Sequence, residues 1–246
     1  MKILLKPPVF VAATACGMAL SLMLGFYLGV LKSTSVNTQE IFEAAMLGHL
    51  RRLDGASGSR RVVFIGTSTF QGFDHSLVVP DGLSLSVGGE RLASLIARAK
   101  SYRSLKSASA IVINAGFNDI VLNCRTPSAD NLRALVALDQ GAAPLLLVGV
   151  QIPSRKKSES LCDGRVRALV QHMNLELVSV CKERPSCKFV PHPTALQMSE
   201  GERETLLEDD GIHLSAKGYS RLAEALRGAL EGSLEQRKER ECNESA

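Results

Sequence analysis

The sequence contains no tryptophan, and aromatic residues make up only 4% of its 246 positions. That scarcity argues against platforms that stack nucleobases on rings, and equally against aromatic sugar-binding platforms. A formal net charge of +4 leaves no electrostatic footprint for nucleic acid. No segment recurs with a period of 20–50 residues, which excludes solenoids and propellers. The six cysteines include no C-x-x-C pair and no zinc-finger spacing, so no metal site is expected. What is present is 45% hydrophobic and 22% charged. That balance can bury a core and lies far from the composition of a disordered chain. The length suits one α/β domain with an appendage.

The appendage is at the start. Lys2 and Lys6 precede an uncharged apolar run over residues 9–31, which Lys32 closes. About 20 apolar residues suffice to cross a bilayer, whereas the core of a cleaved signal peptide is shorter. The run reads as an uncleaved transmembrane signal anchor. Residues 1–8 are then expected in the cytoplasm and the rest outside it, in the periplasm or the extracellular space. Cleavage near Ser33 and Ser35, and a lipid anchor at Cys16, are the alternatives. Ile41, Ala44, Ala45, Leu47 and Leu50 recur at near-helical spacing, so a helix over 36–53 and a Gly/Ser linker over 54–59 form a connector spanning 32–59. The folded domain is expected over 60–232, followed by a charged tail, 233–246, that is frayed or disordered. Export gives the cysteines meaning, because disulfides persist in oxidising compartments. Cys181 and Cys187 lie six residues apart with Pro185 turning the chain between them. Cys124 and Cys162 would join two loops, leaving Cys242 unpaired.

Within the domain, short apolar runs alternate with amphipathic segments. Strands are expected at 62–65, 83–87, 110–113, 145–148 and 188–190, since runs without polar alternation suit strands buried on both faces. Helices fit at 89–100, 128–140, 164–183 and 215–230; in the last, Tyr219, Leu222, Ala223, Leu226 and Leu230 form one stripe. This alternation predicts a three-layer α/β/α sandwich around a parallel five-stranded, flavodoxin-like sheet. Ligands in such sheets bind beyond the carboxyl ends of the strands.

Those ends carry the chemistry. After the first strand, Gly66-Thr67-Ser68 permits a sharp turn that presents a hydroxyl at a helix start, although serine and threonine also serve as ordinary caps there, and such a turn can cradle a phosphate. After the second strand, Gly88-Gly89-Glu90 lets the backbone approach a ligand. After the third, Asn118 of Gly116-Phe117-Asn118-Asp119 can donate to a developing oxyanion, while the competing reading is an Asx turn with Asp119 as a cap. Just before the last helix, Asp210-Gly211-Ile212-His213 sets a carboxylate three residues from an imidazole. The acid can fix the ring's tautomer and leave the other nitrogen free to accept a proton from a serine. The alternative there is a polar turn with Ser215 as the cap.

Taken together, these four blocks resemble the SGNH (GDSL-type) hydrolases over about residues 60–230. Gly66-Thr67-Ser68 stands at the family's Gly-Asp-Ser block and Gly89 at its oxyanion glycine. Gly116-Phe117-Asn118-Asp119 matches Gly-x-Asn-Asp. Asp210-Gly211-Ile212-His213 matches Asp-x-x-His, with the continuation through Tyr219. The resemblance implies Ser68 as nucleophile, His213 as base and Asp210 as its partner. It also implies an oxyanion hole formed by Ser68, Gly89 and Asn118, and a reaction that needs no metal or organic cofactor. The substrate is expected to be a small acyl ester or an O-acetylated glycan or lipid of the envelope, with water or a sugar hydroxyl as acyl acceptor. Thr67 departs from the family's acid and puts the geometry of the turn in question; Ser84 is a second departure, standing where the family's second block often has asparagine. A non-catalytic module binding polysaccharide or lipid on the same fold, and a flavodoxin-like phosphate binder using the loop 66–72, are the competing classes. The paired Asp210 and His213 count against the second of these. His75 is a loop histidine or a wall of the acyl pocket, and His192, between two prolines, reads as structural. Arg155-Lys156-Lys157 is a solvated loop or a contact for an anionic substrate.

Overall fold

A computed structural model of the protein describes residues 38–139 and 143–244. The apolar run 9–31 lies outside the described residues, and among these no helix is long and apolar enough to cross a membrane. The chain divides into two compact units, residues 1–48 and 49–246. Of the first, only the opening turns of a helix are described; the second holds the sheet and everything considered below.

The strands are β1 (Val62–Gly66), β2 (Leu83–Ser84), β3 (Ala110–Asn114), β4 (Leu145–Val148) and β5 (Cys187–Val190). The α-helices are α1 (Thr38–Ala56), α2 (Ser68–Gln71), α3 (Leu92–Ala99), α4 (Arg103–Lys106), α5 (Phe117–Asn123), α6 (Ala129–Val136), α7 (Arg155–Ser160), α8 (Val166–Lys182), α9 (Glu200–Glu204) and α10 (Ala216–Glu244). The sheet order is β2-β1-β3-β4-β5, and every pair is parallel. This is the expected five-stranded sheet with helices on both faces.

Side chains alternate across a strand. Val62, Phe64, Ala110, Val112, Leu146, Val148 and Val190 meet Leu222, Ala223, Leu226, Ala229 and Leu230 of α10 in one buried cluster. Val63, Ile65, Ile111, Ile113, Leu145 and Leu147, all fully buried, point to the opposite face. The helices α3, α6 and α8 pack in series on one another, and α8 packs on β5. Burying a Val, Leu or Ile side chain contributes about 1.5–3 kcal/mol, so both faces hold the sheet.

Three boundaries differ from the expectation. The second strand pairs regularly only over Leu83–Ser84, yet the Leu85 and Val87 amides still donate to the Phe64 and Gly66 carbonyls. The segment expected to open the linker lies inside α1, and the buried Asp54 accepts the Arg103 and Ser104 amides at 3.0 and 2.9 Å, capping α4 from a distance. The tail expected to be frayed or disordered continues α10 as far as Glu244. The buried Ser233 hydroxyl donates to the Ala229 carbonyl at 2.8 Å, and Leu234 packs on the core, so the contact of α10 with the sheet outlasts Leu230.

Both cysteine pairs form: Cys124–Cys162 and Cys181–Cys187, with Cα separations of 5.2 and 5.3 Å. Cys242 is free and exposed. Cys124 and Cys162 both have left-handed backbones, with φ of 48° and 53°.

His192 is structural, as its sequence context suggested. Its ring is fully buried just beyond β5, and Nδ1 lies 3.0 Å from the Thr194 hydroxyl. The Thr194 hydroxyl in turn accepts the Ile152 amide at 2.8 Å. Burial alone lowers the His192 pKa to about 3. The unfolded chain takes up this proton near 6.5, so the folded state loses stability as pH falls from that value towards 3. By pH 4.5 the loss from this one ring should reach roughly 3 kcal/mol. Urea titrations between pH 7 and 4.5 should show it as a steeper decline in the wild-type protein than in His192→Asn, whose side-chain oxygen can stand in for Nδ1.

Candidate active site

The turn that presents Ser68 is made by backbone, and Thr67 enters it through its main chain. A Cβ on Gly66 would lie 2.5 Å from the Asn114 carbonyl oxygen, so only glycine lets β1 end this close to β3. The Thr67 amide donates to that same carbonyl at 3.2 Å, and the Thr67 carbonyl accepts the Phe70 and Gln71 amides at 3.1 and 2.9 Å. Thr67 is itself buried. Ser68 opens α2, and its amide, in the first turn, has no partner within the helix. The helix is riveted to α10: the Tyr219 hydroxyl donates to the Thr69 carbonyl at 3.2 Å, and its ring stacks on Phe73 at 5.9 Å. Burial raises the Tyr219 pKa, with the Glu208 and Asp210 carboxylates adding to the shift, which keeps this donor protonated.

The second turn brings Asp210 and His213. An antiparallel bridge between Leu207 and Leu214 closes it, and the Glu208 amide donates to the His213 carbonyl at 2.8 Å. Asp210 Oδ1 accepts the Ile212 and His213 amides at 2.8 and 3.0 Å. Its Oδ2 lies 2.5 Å from His213 Nδ1, and His213 Nε2 lies 3.0 Å from Ser68 Oγ. Partial burial raises the Asp210 pKa, but the two amides and the imidazole outweigh it and hold the carboxyl below its ordinary value. An ionised Asp210 has no hydrogen to give, so Nδ1 carries the ring proton and Nε2 is left to accept from Ser68. Residues 145 apart in sequence thus form one continuous chain of contacts.

Gly211 sets where this turn sits. Its φ is +69°, its carbonyl accepts the Ser154 amide at 2.9 Å, and a Cβ there would collide with Ser154 Oγ and lie 3.1 Å from Lys157 Cβ. The basic run Arg155-Lys156-Lys157 therefore forms α7, capped by Ser154 and packed beside the Asp210–His213 turn, with Arg155 paired to Glu159 at 3.2 Å.

The third element is the loop after β2. Gly89 has φ +76° and open space on its α-carbon side. Neighbouring side chains fix the loop. The Gly88 amide donates to Gln71 Oε1 at 2.6 Å, and the Asn118 amide donates to the Glu90 carbonyl at 2.9 Å. The Glu90 carboxylate is buried against Arg98, which also donates to the Leu85 carbonyl at 2.7 Å. Burial lowers the Arg98 pKa, but the hydrogen bonds and charge of Glu90 prevail and raise it overall. Asn118 thus spends one amide hydrogen on the loop and retains a second. Asp119 caps, but not its own turn: it accepts the Leu92 amide at 2.9 Å and so caps α3, and burial raises its pKa.

Sequence reading missed Gln71, the Glu90–Arg98 pair and Ser154, all of which act through backbone groups that no local pattern reveals. His75 packs against Phe64, ring to ring at 5.8 Å, and beside Gly82, which makes it part of the wall under β1. Among the described residues no group of three or more His, Cys, Asp or Glu is placed to hold a metal ion.

A serine in contact with an imidazole, itself held by a carboxylate at the carboxyl edge of a parallel α/β sheet, marks a serine esterase of the SGNH type. The chain belongs to the GDSL-like lipase/acylhydrolase family, whose profile matches residues 45–221. Among solved structures, a GDSL-like lipase from Bacteroides thetaiotaomicron aligns with a TM-score of 0.62 at 18% identity, covering 76% of this chain and 98% of that one. A catalytic mutant of an acetylxylan esterase from Geobacillus stearothermophilus aligns at 0.54 and 17%, covering 71% and 94%. The C-terminal catalytic domain of a peptidoglycan O-acetyltransferase from Streptococcus pneumoniae aligns at 0.56 and 14%, covering 73% and 97%. No curated protein matches the sequence significantly.

Gly211→Ala tests how far the second turn depends on its seat. A left-handed backbone costs a residue with a Cβ about 1–2 kcal/mol, and a displacement near 1 Å costs on the order of 100-fold in rate. The variant should remain folded, melt several degrees lower and lose about 100-fold in ester hydrolysis, measured as kcat/KM beside a thermal melt.

Proposed function

We propose that the protein hydrolyses acyl or acetyl esters outside the cytoplasm, on envelope or carbohydrate substrates, through an acyl-enzyme on Ser68. The contact chain from Ser68 through His213 to Asp210 is the observation that carries this reading. Ser68 Oγ attacks the ester carbonyl as its proton passes to His213 Nε2, and the new C–O bond leaves a tetrahedral oxyanion. Asp210 holds the ring and offsets its positive charge. The amides of Ser68 and Gly89 and the second hydrogen of Asn118 are the donors for the oxyanion; each such donor is typically worth about 3–4 kcal/mol. Collapse breaks the ester C–O bond, and the leaving alcohol takes the proton from Nε2. Water, activated by the same nitrogen, then attacks the acyl-enzyme, returning Ser68 and releasing the acid. A sugar hydroxyl in place of that water would make the same site an O-acyltransferase; the likeness to an O-acetyltransferase domain supports keeping both acceptors in the assay.

The extracytoplasmic setting rests on the apolar run 9–31 after two lysines and on two disulfides, which belong to oxidising compartments. A reporter fused after Ala246 that is active only outside the cytoplasm should be active. A reporter active in the cytoplasm would overturn this part of the reading alone.

Nitrophenyl acetate and butyrate, with and without a sugar acceptor, test the chemistry. Ser68→Ala should abolish turnover and labelling by a fluorophosphonate. Asp210→Asn should keep the fold but lose about 10⁴-fold in kcat, because the amide admits the wrong tautomer. His213→Ala should lose at least as much, and the double variant little more, since the two act as one unit. Normal turnover in His213→Ala would return the non-catalytic binding module to first place.

A further inference from the structure

Resting on the reading of Ser68 and Gly89 given above, we infer that Gln71 is the positioning residue of the oxyanion loop. Gln71 is three residues after the nucleophile, on the last turn of α2, and its side chain is exposed. An exposed glutamine has water to bond with, yet this one spends its carbonyl on a single backbone amide, that of Gly88, at 2.6 Å. The contact couples the helix that carries Ser68 to the loop that carries Gly89.

The geometry around Gly88 shows how closely the two elements fit. A Cβ built there would collide with Gln71 Oε1; the next neighbours are Gln71 Cδ at 3.5 Å and Ser68 Cβ at 3.6 Å. Gly88 has no left-handed backbone to explain it, in contrast to Gly89 at φ +76°. At 88 the only close contact a Cβ would make is with the end of the glutamine side chain, while at 89 the backbone itself favours glycine. Two consecutive glycines have more conformational freedom than any other pair, and a donor is useful only where it is already aimed at the developing charge. On one side the loop is held by Asn118 through the Glu90 carbonyl, and on the other by Gln71 through the Gly88 amide. Without Gln71 the Val87–Gly88 peptide, which carries the Gly88 N–H, is free to turn, the Gly88–Gly89 peptide that follows it turns with it, and the Gly89 amide is aimed for only part of the time. The loss falls on the transition state, since the ground-state ester does not need the donor.

A double-variant cycle tests this in the full-length protein in neutral detergent, with kcat and KM on nitrophenyl acetate and the rate of fluorophosphonate labelling as readouts. Gln71→Ala should lower kcat and the labelling rate by about 10- to 100-fold, part of the effect of deleting a donor outright, and leave KM within about threefold. Gly88→Ala should do the same by pushing the glutamine aside. With Gln71 truncated, the nearest atom to the new methyl is Ser68 Cβ at 3.6 Å, an ordinary contact. Gln71→Ala/Gly88→Ala should therefore be no slower than the slower single variant. Losses that multiply in the double variant, or a Gln71→Ala kcat within twofold of wild type, would overturn the inference. Ser68→Ala, run alongside, separates the two levels. A wild-type protein that neither turns over nor labels removes the hydrolase reading and this role with it, whereas an active wild type with an unimpaired Gln71→Ala removes only the role of Gln71.

Discussion

The site depends first on the approach of two strand ends. Gly66 and Asn114 are register partners in β1 and β3, and the absent side chain of Gly66 leaves room for the Asn114 carbonyl. That carbonyl takes the Thr67 amide, so the chain leaves β1 in a fixed direction and begins α2 at Ser68. The buried side-chain amide of Asn114 then donates to the Gly149 carbonyl at 2.8 Å, tying the exit of β3 to that of β4. Any residue larger than glycine at 66 would separate strands whose exits supply the nucleophile and the loops around it.

On that frame the two remaining parts are held by different means. The turn with Asp210 and His213 is held from within, by a bridge, by the backbone hydrogen bonds from Glu208 to His213 and from Gly211 to Glu208, and by two amides donated to the Asp210 carboxylate, and is seated on Ser154. The loop after β2 keeps backbone bonds to β1 from Leu85 and Val87, and is otherwise held by side chains from three other elements: Gln71, Asn118 and Arg98. The Glu90–Arg98 pair is buried, where removing one partner costs several kcal/mol through the charge left behind. Its value lies in fixing where the loop stands more than in net stability.

The sheet was legible because buried parallel strands are written as unbroken apolar runs, and Val62 to Ile65, Ala110 to Ile113 and Leu145 to Val148 are such runs. Ser68, His213 and Asp210 were legible because each stands in a short block at a strand end or helix start, and the fold joins them at hydrogen-bond distances. Shorter helices such as α5 and α7 were not read, since one or two turns carry too little periodicity. The tail reads as frayed helix or disorder from its polar composition; α10 runs through it, with Leu234 packed on the core and the Ser233 hydroxyl bonded to the Ala229 carbonyl. Gln71 was invisible in principle: its partner is a peptide N–H seventeen residues away, and every residue but proline has one.

The place of β1 in the sheet bears on how the domain carries load. β1 is the first strand of the chain but not an edge strand; β2 and β3 flank it, both parallel to it. A pull applied at the amino-terminal end of the domain first meets α1, tied to α4 through Asp54, and beyond it runs along β1 and draws the strand lengthwise past both neighbours. The ladders on its two sides are then strained together in shear, not opened one bond at a time as at a peeled edge. Thr67 alone separates Ser68 from this strand, so Ser68 sits at the far end of a strand held by ladders on both sides.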